Sequence, residues 1–373
     1  VVDSILKREH NDIVGCLVKH GQGWAIRPLR RELPALIWLT NDNQKVLSRC
    51  KEGDWVQVEL AKDSQQSSEL QATIKTRISA SGTVTADLNA ISKEFSLPNK
   101  YSAKAEERAR ELTALELPRE DWQELLAVTI DPVDAKDYDD ALSLIEGPEK
   151  NLLTLAVHIA DVACYVPAGS YFDKTAKKRG FTSYLPGRTL AMLPTALAND
   201  LCSLREGETR QAHTVFMQVD KNSGKVISAR RARTLIKVDK RLCYDEVSRF
   251  FDGDKVDIPK NIGEMLNKLH QLTTAMQRYR AKFEKFLPMD MPEIRVLCSE
   301  KPSRVVGMQR MEQDSANYLI EEAMLAANQA IAEEMLSKKI PGIYRNHADP
   351  EEDSLLEFSD QMSRFFDINS KSL

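Results

Sequence analysis

Thr129-Ile130-Asp131-Pro132-Val133-Asp134-Ala135-Lys136-Asp137-Tyr138-Asp139-Asp140-Ala141 holds five aspartates within ten positions. The apolar run Leu125-Leu126-Ala127-Val128 precedes it and the strand-like run Ala141-Leu142-Ser143-Leu144-Ile145 follows. Carboxylates packed this closely raise one another's pKa. A hard divalent cation is the usual compensation, because Mg²⁺ takes oxygen ligands. In extended chain, Asp137 and Asp139 share a face, while Asp140 points away or is swung round by a bend. Asp131 stands before a proline, which favours extended or turn geometry, so a loop can carry it back beside Asp139. Three or four carboxylates converging near one point suit a two-metal phosphodiester site, whose ions lie roughly 3.5–4 Å apart. The rival reading is an acidic, solvated loop. An EF-hand is a poor fit, since the sixth position from Asp137 is Leu142, where that loop needs glycine.

The remaining composition sets bounds. At 373 residues the chain has room for two or three domains. It is 42% hydrophobic and 29% charged, ordinary for a globular protein. A formal net charge of −4 argues against a molecule coated in basic charge but leaves room for a local basic channel. Cys16, Cys50, Cys164, Cys202, Cys243 and Cys298 are scattered, with no C-x-x-C pair. They read as buried thiols in a reducing, cytoplasmic compartment, not as a zinc site or a disulfide framework. No apolar run reaches membrane-spanning length and the N-terminus is no signal peptide, so no membrane partner is expected.

Residues 1–78 read as short strands between turn signals: Asp12 to Val18, Gly23 to Arg27, Leu36 to Thr40, Trp55 to Leu60 and Leu70 to Ile78. That pattern predicts a small barrel of OB type. Trp55 is read as core, whereas Trp24 is open between core and base stacking. Residues 79–124 form a helical connector, with a helix over Ala103 to Leu115. From residue 125 a larger mixed domain begins. Asn151 to Val162 is too apolar for a surface strand and is predicted to be central, with Asp161 near its end. Tyr171 to Arg179 is helical and stopped by Gly180. His213 to Val219 and Lys225 to Arg233 form a hairpin. Glu264 to Arg280 and Asp314 to Ser337 are long helices, the second burying Leu319, Ala323 and Ala326. No closing element is read at the C-terminal end.

The acidic stretch, with Thr129-Ile130-Asp131 and Asp137-Tyr138-Asp139-Asp140-Ala141, resembles the catalytic signature of the RNase II / RNase R exoribonuclease family. Further blocks agree in order: His158-Ile159-Ala160-Asp161-Val162, Arg179 to Gly187, Met192-Leu193-Pro194, Leu201-Cys202-Ser203-Leu204, Leu319 to Asn328, and Tyr344-Arg345-Asn346-His347. The resemblance spans roughly residues 125–350, and residues 1–78 resemble the family's cold-shock domain. It implies an α+β chain: an OB-type barrel at 1–78, a connector at 79–124 and an RNB-type catalytic domain at 125–373. It also implies Mg²⁺-dependent, processive 3′-to-5′ hydrolysis of single-stranded RNA to nucleoside 5′-monophosphates, with Mn²⁺ as a possible substitute.

By position in that resemblance, Asp131, Asp137, Asp139 and Asp140 form the catalytic, metal-holding cluster, with Asp139 the most critical. Asp134 falls at a variable position. Tyr184 resembles the aromatic that stacks on 3′-terminal bases, although a lone Tyr before Leu-Pro-Gly is otherwise a turn or core residue. Tyr244 resembles a residue lining the terminal nucleotide. Glu321 or Glu322 reaches the same nucleotide, with helix solubility the rival reading. The second clamp aromatic lies near Phe286 or Met289. Arg188, Arg230, Arg231 and Arg233 are basic residues of a kind that contacts phosphates, though arginine on a strand is usually a solvated face.

The chain departs from the family pattern at its C-terminal end. The family's Thr-Ser-Pro-Ile-Arg block, whose arginine braces the scissile phosphate, and its S1 domain are not found. The expectation is a catalytic domain incomplete at that end, with activity weak or absent in this piece. The competing functions are a catalytically inactive RNA-binding relative and an OB-domain protein of translation type whose acidic loop is a surface feature. The last requires Asp131 and Asp139 to lie far apart.

Overall fold

The computed structural model describes residues 12–21, 23–40, 44–61, 70–80, 82–147, 149–283, 293–299, 304–311, 313–344 and 348–365. The chain forms two compact units, Val1–Met324 and Leu325–Leu373.

Alternation of apolar and polar residues builds the first element group. β1 (Asp12–His20), β2 (Gly23–Pro28), β3 (Ile37–Leu39), β4 (Trp55–Leu60) and β5 (Gln71–Ser79) close into a barrel in the order β1-β2-β3-β5-β4, with the single turn α1 (Gln44–Leu47) between β3 and β4. Along β4, Val56 and Val58 point inward to join Ile13, Leu17, Ile26, Ile37, Ala72 and Ile74. The expectation for Trp55 is overturned, and the open question of Trp24 is answered by the core. Trp24 packs against this core, whereas Trp55 faces outward and donates its indole N–H to Asp87 at 2.8 Å. Trp55 falls in the outward phase of β4, and its ring N–H finds a partner there.

The connector holds two helices, α2 (Val84–Glu94), capped by Thr83, and α3 (Ala103–Arg110), capped by Ser102. The helix expected to reach Leu115 ends at Arg110. Beyond it the chain crosses to the larger domain, where the Leu115 N–H donates to the Cys164 carbonyl at 2.8 Å. That tertiary bond replaces the last helical turn. α2 is stitched to the barrel by Glu94, whose buried carboxylate accepts from the Val14 N–H at 2.6 Å and pairs with Arg30.

The larger domain is built on one seven-stranded sheet. Its strands are β6 (Glu120–Asp121), β7 (Val128–Asp131), β8 (Asp140–Glu146), β9 (Leu152–Ala160), β12 (Thr209–Asp220), β13 (Val226–Lys237) and β14 (Lys240–Cys243). The order β14-β7-β8-β9-β12-β13-β6 puts β9 in the middle, as its apolar sequence predicts. Between β9 and β12 lie α4 (Tyr171–Arg179), ended by Gly180 at φ 82°, and the hairpin β10 (Ser183–Leu185)–β11 (Arg188–Leu190). On one side of the sheet Ala141, Ala160, Ala212 and Ile236 pack with Phe172, Leu197 and Leu204. A buried polar row crosses four strands: Ser143 to His158 at 2.9 Å, His158 to Thr214 at 2.8 Å, and Thr214 to Thr234 at 2.6 Å.

α5 (Tyr244–Phe251) and α6 (Lys260–Phe283) follow, then the hairpin β15 (Glu293–Cys298)–β16 (Val305–Met311) and α7 (Ser315–Ser337). Leu319 and Ala323 of α7 are buried, as their spacing predicts, whereas Ala326, expected with them, is only half-buried. α8 (Glu352–Phe365) is a further helix that the sequence reading did not include. Among the described residues no helix is long and apolar enough to cross a membrane. All six cysteines are free thiols; Cys164, Cys202 and Cys243 are buried and the other three only half-buried.

Candidate active site

β7 and β8 run antiparallel, with Val128 opposite Leu142. The end of β7 and the start of β8 therefore lie side by side, and residues 132–139 form the loop between them. Asp131 is the last residue of β7 and Asp140 the first of β8. Sheet pairing thus brings together carboxylates nine positions apart. Asp139 is fixed through its carbonyl, which accepts from the Ala160 N–H at 2.9 Å. Tyr138 is held at both backbone groups: its N–H donates to Ser203 Oγ at 3.0 Å and its carbonyl accepts from the Leu204 N–H at 2.8 Å. Ser203 also donates to the Lys136 carbonyl at 3.0 Å. On the other leg, Arg241 donates to the Pro132 and Val133 carbonyls, both at 2.9 Å.

The electrostatics are those of acids raised by burial and by one another, with the Arg241 charge offsetting part of the shift at Asp131. Asp131 is 9% exposed, and burial, then the charge of Asp140, push its carboxyl up to about 7. Burial and Asp137 raise Asp139 to about 6; burial and Asp139 raise Asp140 to about 6. Asp131 Oδ2 is buried and has no hydrogen-bond partner among the described residues. A buried, unpartnered carboxylate oxygen is costly unless something binds it. Burial, followed by Asp140 and Asp131, pushes the Tyr244 phenol up to about 12, which places that ring in the same electrostatic neighbourhood. Tyr184 is 71% exposed and its hydroxyl donates a long bond of 3.4 Å to Asp137.

The other predicted residues are placed as follows. Glu322 is buried and engaged by Arg280 of α6 at 2.9 and 3.1 Å, whereas Glu321 on the adjacent helix face is exposed. Arg188 donates to Asn89 of α2 at 2.9 Å and lines a groove of about 1200 Å³ beside the barrel, away from the acids' own contacts. Asp134 turns outward to Arg295 at 2.7 Å. Asp161 forms a buried ion pair with Arg119 at 2.7 Å, a structural role. Arg230 grips Glu120 with both guanidinium ends. Phe286 and Met289 lie outside the described residues. The sequence reading passed over Arg241, three positions before Tyr244, and treated Ser203 only as part of a block. Their contacts with the loop span 65 to 109 positions, so no local pattern announces them.

Among the described residues no three Asp, Glu, His or Cys side chains already enclose a metal-sized point. The acids share a neighbourhood, and like charges without a counter-ion repel. The donor set nonetheless fits a hard divalent cation: carboxylate oxygens, one of them buried and unpartnered, on groups that burial first and mutual repulsion second keep protonated, the nearby Arg241 charge offsetting only part of this at Asp131.

Residues 119–373 match the RNB domain. Ribonuclease R of Aquifex aeolicus is 31% identical over 364 residues, covering 94% of this chain and 50% of that protein. The structure of Mycoplasma genitalium RNase R in complex with double-stranded RNA superposes with a TM-score of 0.83 at 22% identity, covering all of this chain and 66% of that one. Yeast Ssd1, described as a pseudonuclease, shares the fold with a TM-score of 0.72 at 14% identity, covering 97% of this chain and 46% of its own, so the fold alone does not fix activity. The chain spans 32% to 50% of the length of the first curated relatives. With an RNB domain over more than half its length behind an OB-like barrel, the chain belongs to the RNase II / RNase R family of exoribonucleases.

Proposed function

We propose that this protein hydrolyses single-stranded RNA processively from the 3′ end, in the cytoplasm, releasing nucleoside 5′-monophosphates with Mg²⁺, or Mn²⁺ in its place. Asp131, Asp137, Asp139 and Asp140 hold the cations. When bound, the divalent metal supplies an activated water and offsets charge on the scissile phosphate. Tyr184, exposed beside Asp137, offers a ring face for a terminal base, and stacking of this kind is indifferent to sequence. Tyr244 lines the inner wall, where its phenol stays protonated and can donate to a phosphate or ribose oxygen. Glu321 and Glu322 are the weaker part of the assignment, since Glu322 already has Arg280 as its partner. The division into a barrel at 1–78, a connector at 79–124 and a catalytic domain at 125–373 belongs to the same proposal.

The observation that carries this reading is the buried, unpartnered oxygen of Asp131 among three carboxyls whose pKa values are all raised. Asp139→Asn tests it. In the full-length protein the variant should lose turnover of a 5′-labelled single-stranded RNA by about 10³-fold or more while its RNA affinity changes little. Normal degradation by that variant would falsify the assignment. RNA affinity without any cation-dependent cleavage by the wild type would point instead to a silent RNA-binding relative.

A further inference from the structure

A loop of eight residues, 132–139, joins strands that end and begin in aspartate, and Asp137 and Asp139 lie on the loop itself. Left alone, such a loop splays, because its charges repel. Two side chains from distant parts of the chain oppose that. Arg241 sits on β14, which runs parallel to β7 with Arg241 beside Thr129 and Cys243 beside Asp131. Its anchor therefore rises from the same part of the sheet that ends in Asp131. One guanidinium nitrogen donates to the Pro132 and Val133 carbonyls on the first leg of the loop, each at 2.9 Å. The flat guanidinium also lies over the Tyr138 ring on the second leg, 5.6 Å from its centroid. The Arg241 backbone is pinned in turn, its N–H donating to Glu206 at 2.8 Å. Ser203, fully buried, takes the second leg alone: it accepts from the Tyr138 N–H and donates to the Lys136 carbonyl, so it brackets Asp137 on both sides.

We infer that Arg241 and Ser203 are positioning residues that hold the two legs of the acidic loop together, so that its carboxylates form a cation cradle instead of repelling apart. Their hydrogen bonds to the loop are to its backbone, so they act through its shape, and Arg241 adds a positive charge near Asp131. Arginine suits the first post because one planar group serves both carbonyls and the ring; lysine keeps the charge and loses the flat face. The inference rests on the cation site proposed above.

The test is Mn²⁺ binding to this chain, followed by electron paramagnetic resonance without RNA, so that the readout is independent of turnover. Arg241→Met and Ser203→Ala should each weaken Mn²⁺ binding by about tenfold or more, as loss of groups that orient metal ligands does. Arg241→Lys should fall between wild type and Arg241→Met. Glu94→Gln, which loosens the barrel far from the loop, should bind as wild type does and so separates positioning from general destabilisation. Wild-type Mn²⁺ affinity in both Arg241→Met and Ser203→Ala would overturn the inference and leave the cation site standing. If Asp139→Asn also binds Mn²⁺ like wild type, the site itself is wrong and this inference falls with it.

Discussion

Asp131, Asp139 and Asp140 hold protons that ordinary carboxylates have shed. The direction of the linkage follows. Between about pH 4 and pH 7 the folded chain binds more protons here than the unfolded chain, so these groups lower stability as pH rises through that window. A bound cation removes the repulsion. Mg²⁺ should therefore raise the melting temperature more at pH 8 than at pH 5, by about 2 °C or more, and Asp139→Asn should flatten the difference. Scanning calorimetry at the two pH values checks this. His158 works in the opposite sense. Burial alone pushes its imidazole down to about 3, and Ser143 and Thr214 occupy its two nitrogens. The unfolded chain takes up a proton below about pH 6.5 and the folded chain does not, so stability is lost as pH falls from 6.5 toward 3. The slope is at most about 1.4 kcal/mol per pH unit. The aspartates' opposite slope is superposed above about pH 4, so the check is a difference: in urea titrations wild type should lose stability relative to His158→Gln by up to that slope as pH falls from 6.5 toward 3. The acidic motif was legible because its residues are neighbours in sequence and their spacing is the signal. The commitments of Glu322 to Arg280 and of Asp161 to Arg119 were not, because each partner lies about forty positions away.

Elements were readable where local chemistry set them. Gly180 ends α4 because its φ of 82° is one that side chains resist, and the apolar run of β9 required a place inside the sheet. The end of α3 was misread, since a hydrogen bond from Leu115 to Cys164 outcompetes helix propensity that would have carried the helix on. The turn between β12 and β13 shows a constraint of another kind. Gly224 has φ 76° and packs so closely on α6 that a Cβ there would lie 2.2 Å from the Ala275 carbonyl carbon and oxygen. Backbone cannot move aside as a side-chain tip can. Gly224→Ala should cost about 2–4 kcal/mol through strain and forced separation of hairpin from helix, read as a lowered urea midpoint.

Sheet order and the attachment of the barrel are properties of the assembled chain, and sequence periodicity carries neither. The attachment rests on α2, where Glu94 reaches back eighty positions to the Val14 N–H. Glu94→Ala leaves that buried donor without its acceptor and should cost about 2 kcal/mol. Hydrogen exchange should quicken at Val14 and along β1 while β9 stays protected. Beyond Thr234 and Leu235, where it pairs with β6, the outer side of β13 meets no other described strand. A long open margin invites a second copy to add its own strand, and charged side chains are one guard against that. Arg230, Arg231 and Arg233 stand along this margin, Arg230 folded over Phe216 with its centroid 4.1 Å away. Arg231→Val with Arg233→Val should therefore leave the fold intact and bring on concentration-dependent clumping, visible by light scattering. On this view the arginine row keeps molecules apart, and its service is to the protein in a crowded solution.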